Sequence, residues 1–191
     1  MPLAVFFIGH GEQNRLLLDP QANQTIEADK FKEILDDYQN TTSSDIVTII
    51  EACYSGSFSG LSKKGRVIIS STDANNKSYY LGNISFLKLY LDQLRNNVDY
   101  WNSWKRVEAQ LSCKSRPFNR QKPQLYDFDG ELAKRQCLGD CFGFLPGKLI
   151  LRPEKLPSKI FPNKLLTFDF YTRNSETIMV SLIKPNMSFN K

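Results

Sequence analysis

Two short apolar runs constrain this chain more than any other feature: Leu3-Ala4-Val5-Phe6-Phe7-Ile8 and Ile46-Val47-Thr48-Ile49-Ile50. Both are continuous rather than alternating, and both are rich in β-branched or aromatic residues. That pattern suits strands buried on two faces, as in the centre of a parallel sheet. Between them, from Glu27, Phe31, Ile34, Leu35 and Tyr38 recur at helical spacing among Asp, Glu and Lys. The spacing predicts an amphipathic helix that ends before Thr41-Thr42-Ser43-Ser44. The polar stretch from Glu12 to Thr25, with its Asp19-Pro20 turn signal, reads as connection.

The pattern repeats downstream. Arg66-Val67-Ile68-Ile69-Ser70 reads as a third strand, entered through Lys63-Lys64-Gly65 and preceded by a turn of small residues, Tyr54-Ser55-Gly56-Ser57 and Ser59-Gly60. Helices are predicted over Ile84 to Arg95 and Trp101 to Leu111. The order is that of an α/β fold, a mainly parallel sheet flanked by helices. Beyond Ser115, Pro117, Pro123, Pro146, Pro153, Pro157 and Pro162 punctuate a loop-rich region. Short strands are predicted over 165–170 and 177–183. The expected organisation is one α/β domain over 1–150, then a linker and the start of a β-rich appendage over 151–191.

Composition excludes several classes. A hydrophobic fraction of 41% and a charged fraction of 24% provide for a soluble core. The net charge of +5 comes from scattered Lys and Arg, so no nucleic-acid partner is expected. No apolar run approaches the roughly 18 residues of a membrane span. The four cysteines, Cys53, Cys113, Cys137 and Cys141, are too irregular for a disulfide scaffold. Cys137 and Cys141 can face each other on one turn, but without nearby histidines they predict no zinc site. Asp127-Phe128-Asp129-Gly130 supplies too few acidic ligands for a calcium loop and reads as a turn. A doubly wound α/β hydrolase or nucleotide binder is a weaker reading, since neither a Gly-x-Ser-x-Gly elbow nor a Gly-x-Gly-x-x-Gly loop follows any strand, and no cofactor is expected.

Chemistry gathers at two strand ends. His10, the only histidine, follows the first strand, and Cys53 follows the second. In open parallel sheets, ligands bind beyond the carboxyl ends of strands. A thiol attacks a carbonyl as thiolate, or with a base to take its proton, and these two residues supply both parts. Gly11 lets a backbone N–H approach a substrate oxygen unobstructed. The Cys53 N–H is a candidate second donor of an oxyanion hole. Glu51 shares a strand face with Cys53 while Ala52 points away.

An apolar strand ending in His10-Gly11, followed by one ending in Glu51-Ala52-Cys53, resembles the hallmark pair of clan CD cysteine peptidases. Glu51-Ala52-Cys53-Tyr54-Ser55-Gly56-Ser57 is most similar to legumains and their prokaryotic relatives. So are Ile69-Ser70-Ser71-Thr72-Asp73-Ala74-Asn75, Ser78-Tyr79-Tyr80 and Ile84-Ser85-Phe86. Gln121-Lys122-Pro123-Gln124-Leu125, with Asp127, Asp129 and Gly130, resembles a segment of prokaryotic members. The likeness covers about residues 4–145. It implies a caspase–hemoglobinase fold and thiol endopeptidase activity on a peptide or protein substrate. His10 then matches the catalytic histidine and Cys53 the nucleophile. Glu51 matches an acidic residue of the S1 pocket, and Ser78 lies where the wall of that pocket is expected. An equal alternative for Glu51 is a buried acid bonded to backbone. In this clan the base and nucleophile act across the substrate, often without a close thiolate–imidazolium pair.

The chain departs from that pattern at its start. Family members carry two strands and a helix ahead of the histidine strand, including an S1 arginine. The resemblance therefore implies a fragment whose missing strands come from the rest of a longer chain. Two alternatives stay open: an inactive pseudopeptidase or binding fragment, and a transamidase or ligase using the same dyad.

Overall fold

The computed structural model describes residues 2–138, apart from positions 20 and 83. The β appendage expected after about residue 155, and the boundary near 150, lie outside the described residues. Four strands form the main sheet: β1 (Leu3–Ile8), β5 (Ile46–Glu51), β6 (Arg66–Ser70) and β7 (Gln124–Asp127), in the order β1-β5-β6-β7. The first three are parallel and β7 is antiparallel to β6. The two continuous apolar runs are thus neighbours, paired from Leu3↔Ile46 to Ile8↔Glu51.

The stretch read as connection is structured. β2 (His10–Glu12), β3 (Arg15–Asp19) and β4 (Gln24–Glu27) form a second, antiparallel sheet. Asn14 turns the first hairpin at φ 60°, a conformation asparagine tolerates. Leu16 is the residue that makes the hairpin pack, at 1% exposure, against the core beneath α1 (Ala28–Thr42). Leu16, Leu17 and Leu18 are consecutive and only Leu16 is fully buried, so the run shows neither the length nor the alternation that announces a strand.

Side-chain alternation divides the core. Val47, Ile49, Val67 and Ile69 face α2 (Phe86–Leu94) and α3 (Tyr100–Ser112), where Phe86, Tyr90, Leu94, Val107 and Leu111 are fully buried. Ile46, Ile50 and Ile68 face the other way, onto Leu35, Phe58 and Leu61. Each such buried aliphatic or aromatic side chain stabilises the fold by about 1.5–3 kcal/mol. The helices start where capping chemistry allows. Ser85 accepts from the Lys88 N–H and Asp99 from the Asn102 N–H, satisfying otherwise orphaned donors. A 3-10 helix, Ser55–Leu61, links β5 to β6 in place of a longer crossover helix. Residues 127–130 form a turn, with the Gly130 N–H donating to the Asp127 carbonyl. A short helix, α4 (Leu132–Arg135), follows. No helix among the described residues is long and apolar enough to cross a membrane.

One ionic link ties α1 to the sheet. Arg66, fully buried on β6, donates to Asp36 Oδ1 at 2.8 Å and to Gln39 Oε1 at 2.9 Å. Lys63 donates to the same carboxylate at 2.7 Å. The Lys63 hydrogen bond, joined by Arg66 and opposed by burial, holds the Asp36 carboxyl below its ordinary 3.8. A depressed value means stability present above the unfolded value and lost as pH falls through the folded one. Asp36→Asn is expected to lower stability at neutral pH by about 1–3 kcal/mol, discounted because Asp36 is a third exposed. Chemical denaturation across pH 2–7 checks this: the variant should lose part of the acid-side slope as well.

Candidate active site

The parallel pairing of β1 with β5 carries both sequence-selected residues to one end of the sheet. Past the last register pair, the Gly9 N–H donates to the Glu51 carbonyl at 3.0 Å. Chain direction then diverges. β2 leaves the main sheet and pairs with β3, with His10 opposite Leu17, while β5 runs into the Cys53 turn. His10 therefore sits on a strand of the second sheet, with its side chain exposed.

Gly11 brings the two segments together. A β-carbon at position 11 would lie 2.7 Å from the Cys53 carbonyl oxygen and 2.9 Å from the Ala52 β-carbon. Both are rigid neighbours, so only glycine allows this approach. The next residues fix the hairpin to the turn: the Asn14 N–H donates to Ser57 Oγ at 2.9 Å, and Gln13 Nε2 to the Ala74 carbonyl at 3.3 Å.

The turn itself is over-determined. Tyr54 adopts φ 59°, a strained conformation for a bulky residue that persists only where surroundings enforce it. Its N–H donates to the Asn76 carbonyl at 2.9 Å, and its carbonyl accepts from Ser57 Oγ at 2.7 Å. Gly56 is pressed on the Asp73–Ala74 backbone, where a β-carbon would come within 2.6 Å. Beneath the turn, Ser71 Oγ donates to the Ala52 carbonyl at 3.3 Å and pairs with Ser55 Oγ at 3.3 Å. Small and hydroxylic residues fill the sequence here because the backbone of one loop lies directly on another.

Cys53 is half-buried. Its thiol donates to the Ser78 carbonyl at 3.7 Å, while the Ser78 hydroxyl accepts from Gln121 Nε2 at 3.2 Å. Cys113 is free and exposed, so accessibility alone favours Cys113 over Cys53 as a reactive thiol. Ser78 thus lies beside the thiol, and its main chain makes the contact.

Glu51 is 4% exposed. Its Oε1 accepts from the Phe86 N–H at 3.0 Å and its Oε2 from the Leu87 N–H at 2.9 Å. Both oxygens are occupied by the first turn of α2, where the helix dipole favours negative charge. Burial nevertheless raises its pKa above the ordinary 4.5, against the opposing bonds from Leu87, Ser85 and Phe86.

Comparison with known proteins decides the relationship. A model of the peptidase C13 family matches residues 2–105, more than half of the chain. The chain belongs to that family. This is the legumain family of clan CD cysteine peptidases. Among solved structures, caspase-1 from Spodoptera frugiperda superposes with a TM-score of 0.51 at 14% identity, over 66% of this chain and 60% of that one. At that identity the likeness shows the fold, a caspase-like α/β architecture with a mainly parallel sheet. The C13 chain spans 60% of that neighbour's length. No curated protein matches the sequence.

Gln121 is the residue at this site that sequence reasoning did not single out. It occurs in the family-like stretch before β7, but nothing in local periodicity marks a lone glutamine as reaching under a loop some forty residues earlier.

Proposed function

We propose that this C13 chain carries a cysteine endopeptidase centre with Cys53 as nucleophile and His10 as general base. The observation that carries the reading is the approach of the His10-Gly11 strand to the Cys53 turn at the carboxyl end of β1 and β5. Cys53 Sγ attacks the scissile carbonyl carbon, forming an S–C bond, and the carbonyl π electrons move to oxygen. The N–H groups of Gly11 and Cys53 are the proposed donors to that oxyanion. His10 takes the thiol proton and delivers it to the leaving amine as the C–N bond breaks. Water then adds to the thioester, giving up its proton to His10. Collapse restores the thiol and releases the acid. Ser78 is proposed to shape the substrate cleft. Glu51, read from the sequence as a cleft residue, is proposed to act on it only by anchoring the N-terminus of α2, which occupies both of its oxygens.

The partner is a peptide or protein substrate. We also propose that a strand from a longer chain pairs with the outer edge of β1. Among the described residues β1 pairs on one side only, with β5, and Phe6 and Ile8 on it are 37% and 59% exposed. An apolar, unpaired edge of this kind invites a further strand.

Thiol chemistry tests the centre. With an acyloxymethylketone or iodoacetamide probe, Cys53 is expected to be labelled faster than Cys113 despite its lower exposure. Peptide mapping by mass spectrometry gives the two rates. Faster labelling of Cys113, together with peptide cleavage that survives Cys53→Ala, would leave the family likeness as one of fold alone.

A further inference from the structure

We propose that Gln121 is a positioning residue for Cys53, holding the Ser78–Tyr79 segment so that the Ser78 carbonyl fixes the thiol. The inference rests on the reading of Cys53 as nucleophile. Gln121 lies beyond residues 2–105, which carry the family match.

Gln121 is 5% exposed and its amide is fully used. Nε2 donates to the Ser71 carbonyl at 3.2 Å and to Ser78 Oγ at 3.2 Å. Oε1 accepts from the Tyr79 N–H at 3.2 Å. Chemistry fixes the amide orientation: reversed, it would set oxygen against the Ser71 carbonyl and an N–H against the Tyr79 N–H. One planar group therefore joins the end of β6 to the loop that overhangs the thiol. Two routes connect it to Cys53. Through Ser78 it reaches the carbonyl that accepts from Cys53 Sγ. Through Ser71 it reaches the Ala52 carbonyl, one residue before the nucleophile. The neighbouring Lys122 N–H adds a bond to Thr72 Oγ1 at 3.4 Å, so the backbone that presents Gln121 is itself anchored to the same loop.

A nucleophile must be aligned to attack within a narrow cone, so loosening its rotamer lowers turnover. A small alkylating agent approaches from many directions and gains from the same release. Opposite effects on the two reactions mark a positioning role. General destabilisation would also uncover the half-buried Cys53 relative to the already exposed Cys113, so the thermal unfolding and the peptide turnover recorded beside the labelling separate it from a positioning role.

The test uses Gln121→Leu, which keeps the volume and removes all three bonds, and Gln121→Glu, which keeps an acceptor for Tyr79. Iodoacetamide labelling of Cys53 relative to Cys113 is followed by mass spectrometry across pH 4–8, beside the wild type and with thermal unfolding and peptide turnover recorded. In Gln121→Leu the Cys53:Cys113 ratio is expected to rise about 2- to 10-fold, the equivalent of one lost hydrogen bond, with cooperative unfolding retained. In Gln121→Glu the ratio should be raised at neutral pH and return toward wild type at acid pH, where the neutral carboxyl donates again. A ratio that stays at the wild-type value in both folded variants, or a raised ratio with peptide turnover unchanged, overturns the proposal. Peptide cleavage that persists in Cys53→Ala would instead overturn the nucleophile assignment, and the labelling ratio still decides what Gln121 does to the thiol.

Discussion

Replacing His10 by alanine is expected to slow peptide turnover on the order of a hundredfold to ten-thousandfold, the usual cost of losing a general acid–base. Alkylation of Cys53 should slow far less. The difference arises because alkylation needs only the thiol, whereas peptide cleavage also needs a proton delivered to the departing amine. His10 is exposed on β2 and is the only histidine of these 191 residues. Steady-state cleavage of a fluorogenic peptide library, in the longest natural chain carrying this domain, provides kcat and KM. An equal loss in kcat and kcat/KM indicates an interaction made only in the transition state. Turnover in His10→Ala within a few-fold of wild type would remove His10 from the mechanism.

The sequence was legible where burial imposes a period. β5 and β6 are continuous apolar strands because sheet neighbours and helices enclose them, and α1 shows its apolar stripe because one face meets the core. β1 carries the same pattern that predicts a central strand, but among the described residues it is an edge strand with no fully buried residue. Helix ends shifted by one or two residues from the periodicity, to the positions where Ser85 and Asp99 cap them. The antiparallel hairpins between Glu12 and Glu27 were not legible. β2 and β4 are short and mostly polar, and β3 carries three consecutive leucines without alternation, so the pairing, fixed by Asn14 and Leu16, leaves no period to read.

The candidate site was legible in the two residues proposed for its chemistry and illegible in its framework. His10 and Cys53 announce themselves by type and by position after apolar strands. The approach of the two segments that carry them depends on contacts that local sequence does not encode: Gly11 against the Cys53 carbonyl, Tyr54 held at positive φ, and Gln121 under Ser78. Each joins segments far apart in the chain through main-chain groups, for which side-chain pattern carries no signal. Glu51 shows the same limit. Alternation put it on the face of Cys53, but only the structure reveals the N-terminus of α2 against its carboxylate.

That carboxylate yields the second large expected effect. Glu51→Ala is expected to destabilise the domain by about 2–4 kcal/mol at neutral pH, because the buried Phe86 and Leu87 N–H groups lose their acceptor and a void replaces the side chain. For a domain of this size the melting temperature should fall on the order of 10 °C. The pH dependence runs opposite to that of Asp36. Burial raises the folded pKa of Glu51, so its contribution is full below the unfolded value near 4.5 and declines as pH rises through the folded one. The gap between wild type and Glu51→Ala should therefore be wider at pH 4 than at pH 7, as read by urea denaturation at both values. Glu51→Gln separates anchoring from substrate contact. Its amide has one acceptor for two N–H donors, so anchoring predicts a stability loss intermediate between wild type and alanine, with peptide preference unchanged. A shifted preference at the residue before the scissile bond, with wild-type stability, would assign Glu51 to the substrate cleft. Since β5 leads from Glu51 straight into Cys53, a loosened α2 terminus should also reach the thiol, and Cys53 alkylation in the same variants reads that coupling.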